Sequence, residues 1–120
     1  MVFCYKEGVI VKKKNIIKEK KDFDKIFKLR NQFNSKYTYI YISDNLFNYQ
    51  RFGICVSKKI GNAVLRNKIK RQIKDIIDKS KLQFMPKDYI IVVKKSICTT
   101  KYLEIQNDIV NAFNKIIDRR

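Results

Sequence analysis

Three stretches of the chain repeat apolar residues at the three- and four-residue spacing of an amphipathic helix. The first covers residues 20–30, with Phe23 and Phe27 on one side. The second covers residues 62–79, and the third runs over residues 102–117. Each apolar stripe needs a partner layer that buries it, so we predict three helices packed on a common core.

Strand patterns fill the intervals between these helices. Residues 36–43 ("KYTYIYIS") alternate strictly, with tyrosines on one face, whose hydroxyls favour a partly wet surface. Residues 51–57 form a second strand-like run, and the short polar loop between the two predicts an antiparallel hairpin. Residues 89–93 ("YIIVV") form an unbroken apolar run that is typical of a central buried strand.

The order helix, strand, strand, helix, strand, helix predicts an α+β fold in which a small mixed sheet packs against helices. We assign residues 19–120 to one domain, because this length is ordinary for a single core. Residues 1–18 show no sustained period and are predicted to form an N-terminal arm or extension. That arm leaves room for an extra short strand at residues 8–11.

The chain is strongly basic. It contains 28 Lys and Arg and 11 Asp and Glu, which gives a formal net charge of +17. Such a charge indicates a polyanionic partner, nucleic acid first. No stretch approaches the roughly 18 apolar residues of a spanning helix, and a signal-peptide core is missing, so we expect a cytoplasmic protein with no membrane partner. The chain has no histidine and three scattered cysteines, which argues against a zinc site, a disulfide framework and hydrolases with a His base.

The second predicted helix separates its charge from its apolar stripe. The polar residues that spread over the opposite side of the helical wheel are Arg66, Asn67, Lys70, Arg71 and Lys74. No acid lies between Asp44 and Asp75, so these cations repel one another, a penalty that a phosphate lattice would reverse. The plainer alternative is a lysine-rich solvated face.

The turn before this helix, "SKKIGNA", carries Lys58 and Lys59 out of the preceding strand. Gly61 permits a tight turn or a close backbone approach, and the N–H groups that open the helix can bind an anion. The segment is not a Walker P-loop, because the first glycine is missing, so the sequence gives no support to NTP hydrolysis.

Residues 57–71, "SKKIGNAV" and then "RNKIKR", resemble the signature of the protein subunit of bacterial ribonuclease P. The resemblance extends from about Val11 to the C-terminus through "DFDKIFK" and "DYIIVVKK". It implies a protein cofactor of the ribonucleoprotein endonuclease that removes the 5′ leader from precursor tRNA. The RNA subunit and its magnesium ions are expected to carry the chemistry, with the protein alone non-catalytic. The resemblance also implies a left-handed β-α-β crossover.

The resemblance further implies two sets of site residues and assigns no catalytic or metal-ligating residue to the protein. The residues expected to bind the catalytic RNA are Lys58, Lys59, Arg66, Asn67, Lys70, Arg71 and Lys74. The residues expected to form a cleft for the single-stranded leader of precursor tRNA are Phe23, Phe27 and Tyr41. Tyr39 is the alternative to Tyr41, and ordinary core packing is the alternative for the two phenylalanines. Lys74 and Lys94 occupy positions where the family commonly has Arg. Lysine cannot make the bidentate contact with phosphate that arginine makes.

Two other classes of function compete with this one. The first is a non-catalytic RNA-binding or ribosome-associated protein that uses the same basic helix. The second, an enzyme acting without RNA, is disfavoured because Asp22 and Asp24 diverge by about 200° on a helix and are better explained as first-turn charges. The sequence indicates no obligate protein partner, and it leaves the class of the RNA and the stoichiometry open.

Overall fold

The structure of the chain, a computed structural model, describes residues 15–80, 82 and 84–118. Its elements are α1 (Lys20–Leu29), β1 (Gln32–Asn34), β2 (Thr38–Asp44), β3 (Arg51–Cys55), α2 (Ala63–Ser80), β4 (Lys87–Val93), a 3-10 helix (Lys95–Thr99) and α3 (Tyr102–Asp118). The α+β prediction is confirmed, and each of the three α-helices ends within one residue of its predicted limits. Over the described ranges, no helix combines the length and apolar character needed to cross a bilayer.

The sheet has the strand order β1-β2-β4-β3. β2 pairs antiparallel with β1 and with β4, whereas β3 pairs parallel with β4. The predicted hairpin between β2 and β3 is therefore wrong, because β4 lies between them. The apolar run of β4 accounts for this arrangement, since a strand that is apolar on both faces is most stable in the interior of the sheet. The parallel pair β3 and β4 is joined through α2, which forms the crossover.

The folded domain begins before residue 19, the boundary predicted from the sequence pattern. Residues 1–14, with the predicted strand at residues 8–11, lie outside the described residues. Ile16 and Ile17 are buried, and the Ile17 N–H donates to the Phe52 carbonyl at 2.9 Å. These two isoleucines therefore belong to the folded domain. The short extra strand that the structure does describe is β1, which the sequence pattern did not predict there.

The two faces of the sheet bury different cores, because successive side chains of a strand point to opposite faces. One face carries Ile91 and Ile54 and packs against α2 and α3, which supply residues such as Phe113. The other face carries Ile90 and packs against Ile26 of α1. The second core is the smaller one, so much of that face remains near the surface.

Candidate nucleic-acid interface

α1 covers only part of the second sheet face. The strand register arranges six residues of this face in two rows: Tyr41, Ile90 and Gly53 in the first, and Tyr39, Val92 and Cys55 in the second. The first row lies beneath α1. The second row, which we call the cleft floor, is only partly buried. An open strip of sheet therefore runs beside α1.

The structure brings together the three aromatic residues that the sequence assigned to a cleft. The ring centroids of Phe23 and Phe27 are 6.4 Å apart, and Phe27 meets Tyr41 edge-on at 4.8 Å. All three side chains are partly buried against the small core of this face. We call these three residues with the cleft floor the aromatic cleft. Their packing and their remaining exposure fit a surface that is rigid and still accessible.

Lys94 closes one end of the cleft floor. Its Nζ lies 4.3 Å from the centre of the Tyr39 ring. The same ammonium group donates to the Asn34 side chain and to the Ser35 carbonyl at 2.6 Å. These contacts tie the end of β4 to the turn between β1 and β2. A fixed positive charge therefore lies beside Tyr39, while Tyr41 is the tyrosine that contacts α1.

Cys55 marks the other end of the cleft floor. Burial raises the pKa of its thiol, and the positive charge of Lys70 acts in the opposite direction. The thiol is therefore protonated at neutral pH. Cys55 contributes a neutral, partly buried side chain to the cleft floor.

The predicted RNA-binding residues of α2 and its entering turn differ in exposure. Lys58, Lys59, Asn67 and Arg71 are exposed, and Arg66 and Lys70 are partly buried. We call these six residues the basic face. Lys74 was predicted to lie with them, but it is only 6% exposed. α2 packs against both β3 and α3, so a wider arc of the helix is buried than its isoleucine stripe indicates.

The turn into α2 is held by local hydrogen bonds. The Ser57 hydroxyl accepts from the Lys59 N–H at 3.1 Å, and the Asn62 side chain accepts from the Leu65 N–H at 2.9 Å. Asn62 therefore caps α2 and occupies one of the N–H groups that were considered for an anion. This cap was not predicted, although an Asn directly before an apolar-periodic segment is a recognised signal for one.

An ion-pair network centred on Arg51 joins α1 to the sheet, and no local pattern in the sequence indicates it. The Arg51 guanidinium meets both carboxylate oxygens of Asp88, at 2.8 Å and 2.6 Å. It also lies 3.5 Å from Asp22, the first-turn acid of α1. The hydrogen bond with Asp88 raises the pKa of Arg51, against the opposing effect of burial. Asp22 thus anchors α1, whereas Asp24 is exposed.

The described residues contain no group of three His, Cys, Asp or Glu side chains that could hold a metal ion. What they do contain is an aromatic strip with the Lys94 ammonium at one end, and a cation-rich helix in the same domain. This geometry, on a chain with a formal charge of +17, defines a small basic α+β protein of the RNA-binding class.

Comparisons with known proteins then identify the family. The sequence model of the family described as Ribonuclease P matches residues 11–117, so the chain belongs to the ribonuclease P protein family. It is 37% identical over 108 residues to the ribonuclease P protein component of Mycoplasma capricolum, covering 88% of this chain and 99% of that one. The corresponding protein of Streptococcus pneumoniae is 38% identical over 101 residues, which is 82% of each chain.

Solved structures agree with this assignment. The ribonuclease P protein of Staphylococcus aureus superposes with a TM-score of 0.79 at 34% identity, covering 85% of this chain and 94% of that one. The Thermotoga maritima protein gives a TM-score of 0.72 at 24% identity over 79% and 91% of the two chains, which shows the shared fold.

Membership of the family also gives the function. The chain serves as the protein component of ribonuclease P, the ribonucleoprotein that cleaves precursor tRNA in 5′ processing. The resemblance seen in residues 57–71 is thereby confirmed. The alternative of a ribosome-associated protein loses its support, because the family match covers the aromatic elements as well as the basic helix.

Proposed function

We propose that the two surfaces divide the RNA partners of the holoenzyme between them. The basic face binds the catalytic RNA, and the aromatic cleft binds the single-stranded leader of precursor tRNA. The observation that carries this proposal is the contrast between the exposed cations on α2 and the partly buried rings beside α1.

The chemistry of the cleft supports a single-stranded ligand. Aromatic rings stack on any base, at about 1–3 kcal/mol per base, so they bind strands of different sequence. The floor residues Tyr39, Val92 and Cys55 offer few groups that could read the edge of a base. The three strands beneath them lie about 4.8 Å apart, which makes a floor about 10 Å wide. Lys94, at one end of the floor, is placed to meet a phosphate of a strand that crosses it.

The basic face supports a structured RNA partner. Lys58, Lys59 and Arg71 are exposed, and no acid occurs between Asp44 and Asp75 to neutralise them. Lysine and arginine bind phosphates largely through charge, with a strong dependence on salt. The packing of α2 against β3 and α3 holds these cations on a rigid support. A folded RNA presents phosphates at fixed positions, and a rigid helix can match them.

In this division of labour the protein binds RNA, and the RNA subunit with its magnesium ions carries out the cleavage. We infer that the protein alone is non-catalytic and that it works in the cytoplasm. The two neighbouring acids of α1 are not arranged as a catalytic pair. Asp22 forms an ion pair with Arg51, whereas Asp24 is exposed to solvent.

The first test reconstitutes the chain with a bacterial catalytic RNA at low magnesium. We expect the protein to restore leader removal and to make the holoenzyme bind precursor tRNA more tightly than mature tRNA. Equal rates with and without the protein would contradict its role as a binding cofactor.

The second test separates the two surfaces by cross-linking. A photoreactive base in the leader should cross-link to peptides that contain Tyr39 or Tyr41, whereas photoreactive bases in the catalytic RNA should cross-link to residues 58–71. Mature tRNA, which has no leader, is the control and should leave the cleft peptides unlabelled. Leader cross-links that fall mainly on residues 58–71 would overturn the proposed division.

A further inference from the structure

The contact between α1 and β3 depends on a missing side chain. Gly53 lies within β3, in the row that α1 covers. A Cβ atom at Gly53 would lie 2.7 Å from Cε1 and 2.8 Å from Cζ of Phe23, which is closer than real Cβ contacts. The Phe23 ring therefore lies directly against the backbone of β3.

We propose that Gly53 is a positioning residue of the leader site. By admitting the Phe23 ring, it fixes the height of α1 above the sheet and so places Phe27 against Tyr41. Phe23 then acts as a spacer between helix and sheet, and the rings that meet bases are Phe27 and Tyr41. This inference rests on the proposed function of the aromatic cleft and deepens it.

The surroundings of Phe23 leave the ring little room to move aside. The same imagined Cβ of Gly53 would lie 3.5 Å from Ile90, so the next residue of the row closes one side. Phe23 also packs against the small core that contains Ile26 and Ile90. One turn of α1 thus carries Asp22, bound to Arg51, and Phe23, seated on Gly53. A methyl group at residue 53 would be accommodated mainly by a shift of α1.

The size of that shift can be compared with the contact it would disturb. Ordinary van der Waals contact begins near 3.4 Å, so the ring would retreat by about 0.7 Å. Phe27 lies one helical turn further along α1 and meets Tyr41 at a centroid distance of 4.8 Å. A tilt or lift of α1 by this amount changes the opening between Phe27 and the sheet, where a base would enter.

The experiment uses the reconstituted holoenzyme and measures the ratio of affinities for precursor and mature tRNA. Gly53→Ala should lower this ratio about tenfold, which is the loss of roughly one stacked base. The double variant Gly53→Ala with Phe23→Leu should restore the ratio to within about twofold, because the smaller Leu makes room for the methyl group. Affinity for the catalytic RNA should stay the same throughout.

Two further variants keep the proposal open to refutation if Gly53→Ala folds poorly. Phe23→Leu alone should lower the ratio by about threefold or less, against about tenfold for Phe27→Leu, since only Phe27 would stack on a base. Ile54→Val, the next residue of β3 on the opposite face, is the matched control and should leave the ratio unchanged.

The outcomes separate the inference from the function on which it rests. Two outcomes would overturn the positioning role alone. One is a folded Gly53→Ala variant that keeps the wild-type ratio of affinities. The other is a double variant whose ratio is as low as that of Gly53→Ala. An equal loss for Phe23→Leu and Phe27→Leu would do the same, because Phe23 would then be a stacking ring. A wild-type holoenzyme that does not prefer precursor tRNA would overturn both proposals.

Discussion

The basic face and the aromatic cleft are neighbours on one small domain, yet they are built in opposite ways. The basic face consists of long side chains that reach into solvent from one continuous segment of the chain. The cleft consists of rings fixed by packing between α1 and three strands. Charge on exposed side chains gives strong, salt-dependent attraction, whereas fixed rings give selectivity for a strand with free bases. If the two surfaces divide the RNA partners as proposed, affinity and discrimination should be separately alterable in this protein.

The largest expected effect concerns Arg51, which ties α1 to the sheet and β3 to β4. Arg51→Met leaves Asp88 and Asp22 without their buried partner, and the loss of one member of such a pair costs about 3–5 kcal/mol. We expect the free energy of unfolding to fall by that order in a urea titration. Lys87→Met removes the pair between Lys87 and Asp44, in which Asp44 is 90% exposed, and is the control.

The control should lose no more than about 1 kcal/mol, as exposed pairs do. At temperatures where Arg51→Met is still folded, selectivity for precursor tRNA should fall before affinity for the catalytic RNA does, since Asp22 ties α1 to the sheet. Similar small losses of stability in both variants would show that the Arg51 pair is not an anchor.

The next effect concerns the basic face. Lys59→Gln with Arg71→Gln should weaken binding of the catalytic RNA by about 3 kcal/mol at low salt, because two charged phosphate contacts are lost. The plot of log affinity against log salt should become less steep by roughly 1.5. A filter-binding titration over several salt concentrations measures both quantities.

Lys101→Gln with Lys115→Gln is the charge-matched control, since both lysines are exposed and lie outside the basic face. If the two double variants lost the same affinity and the same salt slope, net charge alone would explain binding. Precursor and mature tRNA should be affected equally in the first variant, and a selective loss for precursor would mean that the basic face also holds the leader.

The cleft should show a smaller and more selective effect. Tyr41→Leu should reduce the preference for precursor over mature tRNA by about 1–3 kcal/mol, the range for one stacked base. Tyr39→Leu removes the ring beside Lys94 and should cost less, because Tyr41 is the ring that meets Phe27 of α1. Competition binding with both tRNAs measures the difference. A greater loss for Tyr39→Leu would move the stacking position to the open end of the floor.

The smallest effect is a difference in thiol reactivity that reports on each surface separately. Burial raises the pKa of Cys55, so its alkylation should be slow near pH 8 and should accelerate at higher pH than for an ordinary thiol. Cys98 is exposed, and its thiol contacts the Ile60 carbonyl in the turn of the basic face. In a Cys4→Ser background, precursor tRNA should protect Cys55, and the catalytic RNA should protect Cys98.

Mass spectrometry of alkylated peptides gives both rates from one sample. Mature tRNA is the control for Cys55 and should protect it less than the precursor does. Protection of both cysteines by the catalytic RNA alone would show that one RNA covers both surfaces.

The exposure of most residues of the basic face could be predicted from the sequence, because that face is local. Its cations and the isoleucines that hold the helix lie within one amphipathic segment, so the helical period alone separates them. Lys74 is the exception: it is only 6% exposed, and α2 packs against both β3 and α3, which lie outside this segment of the chain. Asn62 was readable as a cap and was overlooked.

The cleft was predicted through a resemblance, because its geometry is non-local. Nothing in the alternation of β2 shows that β4 inserts between β2 and β3, so the hairpin prediction failed where sequence proximity suggested pairing. The link from Arg51 to Asp88 and Asp22 joins three elements that are far apart along the chain. Such contacts depend on the order of the strands in the sheet. The spacing of apolar residues along the chain does not determine that order.

The position of β4 also has a consequence for how the domain forms. β4 is the fourth strand in sequence and an inner strand in space, so β2 and β3 share no partner until residues 87–93 have been made. Sheets with such long-range pairing fold slowly, because loop closure precedes the stabilising contacts. During synthesis, all the cations of the basic face emerge before the sheet can close. The nascent chain therefore carries its attraction for RNA before it has a cleft with which to choose among RNAs.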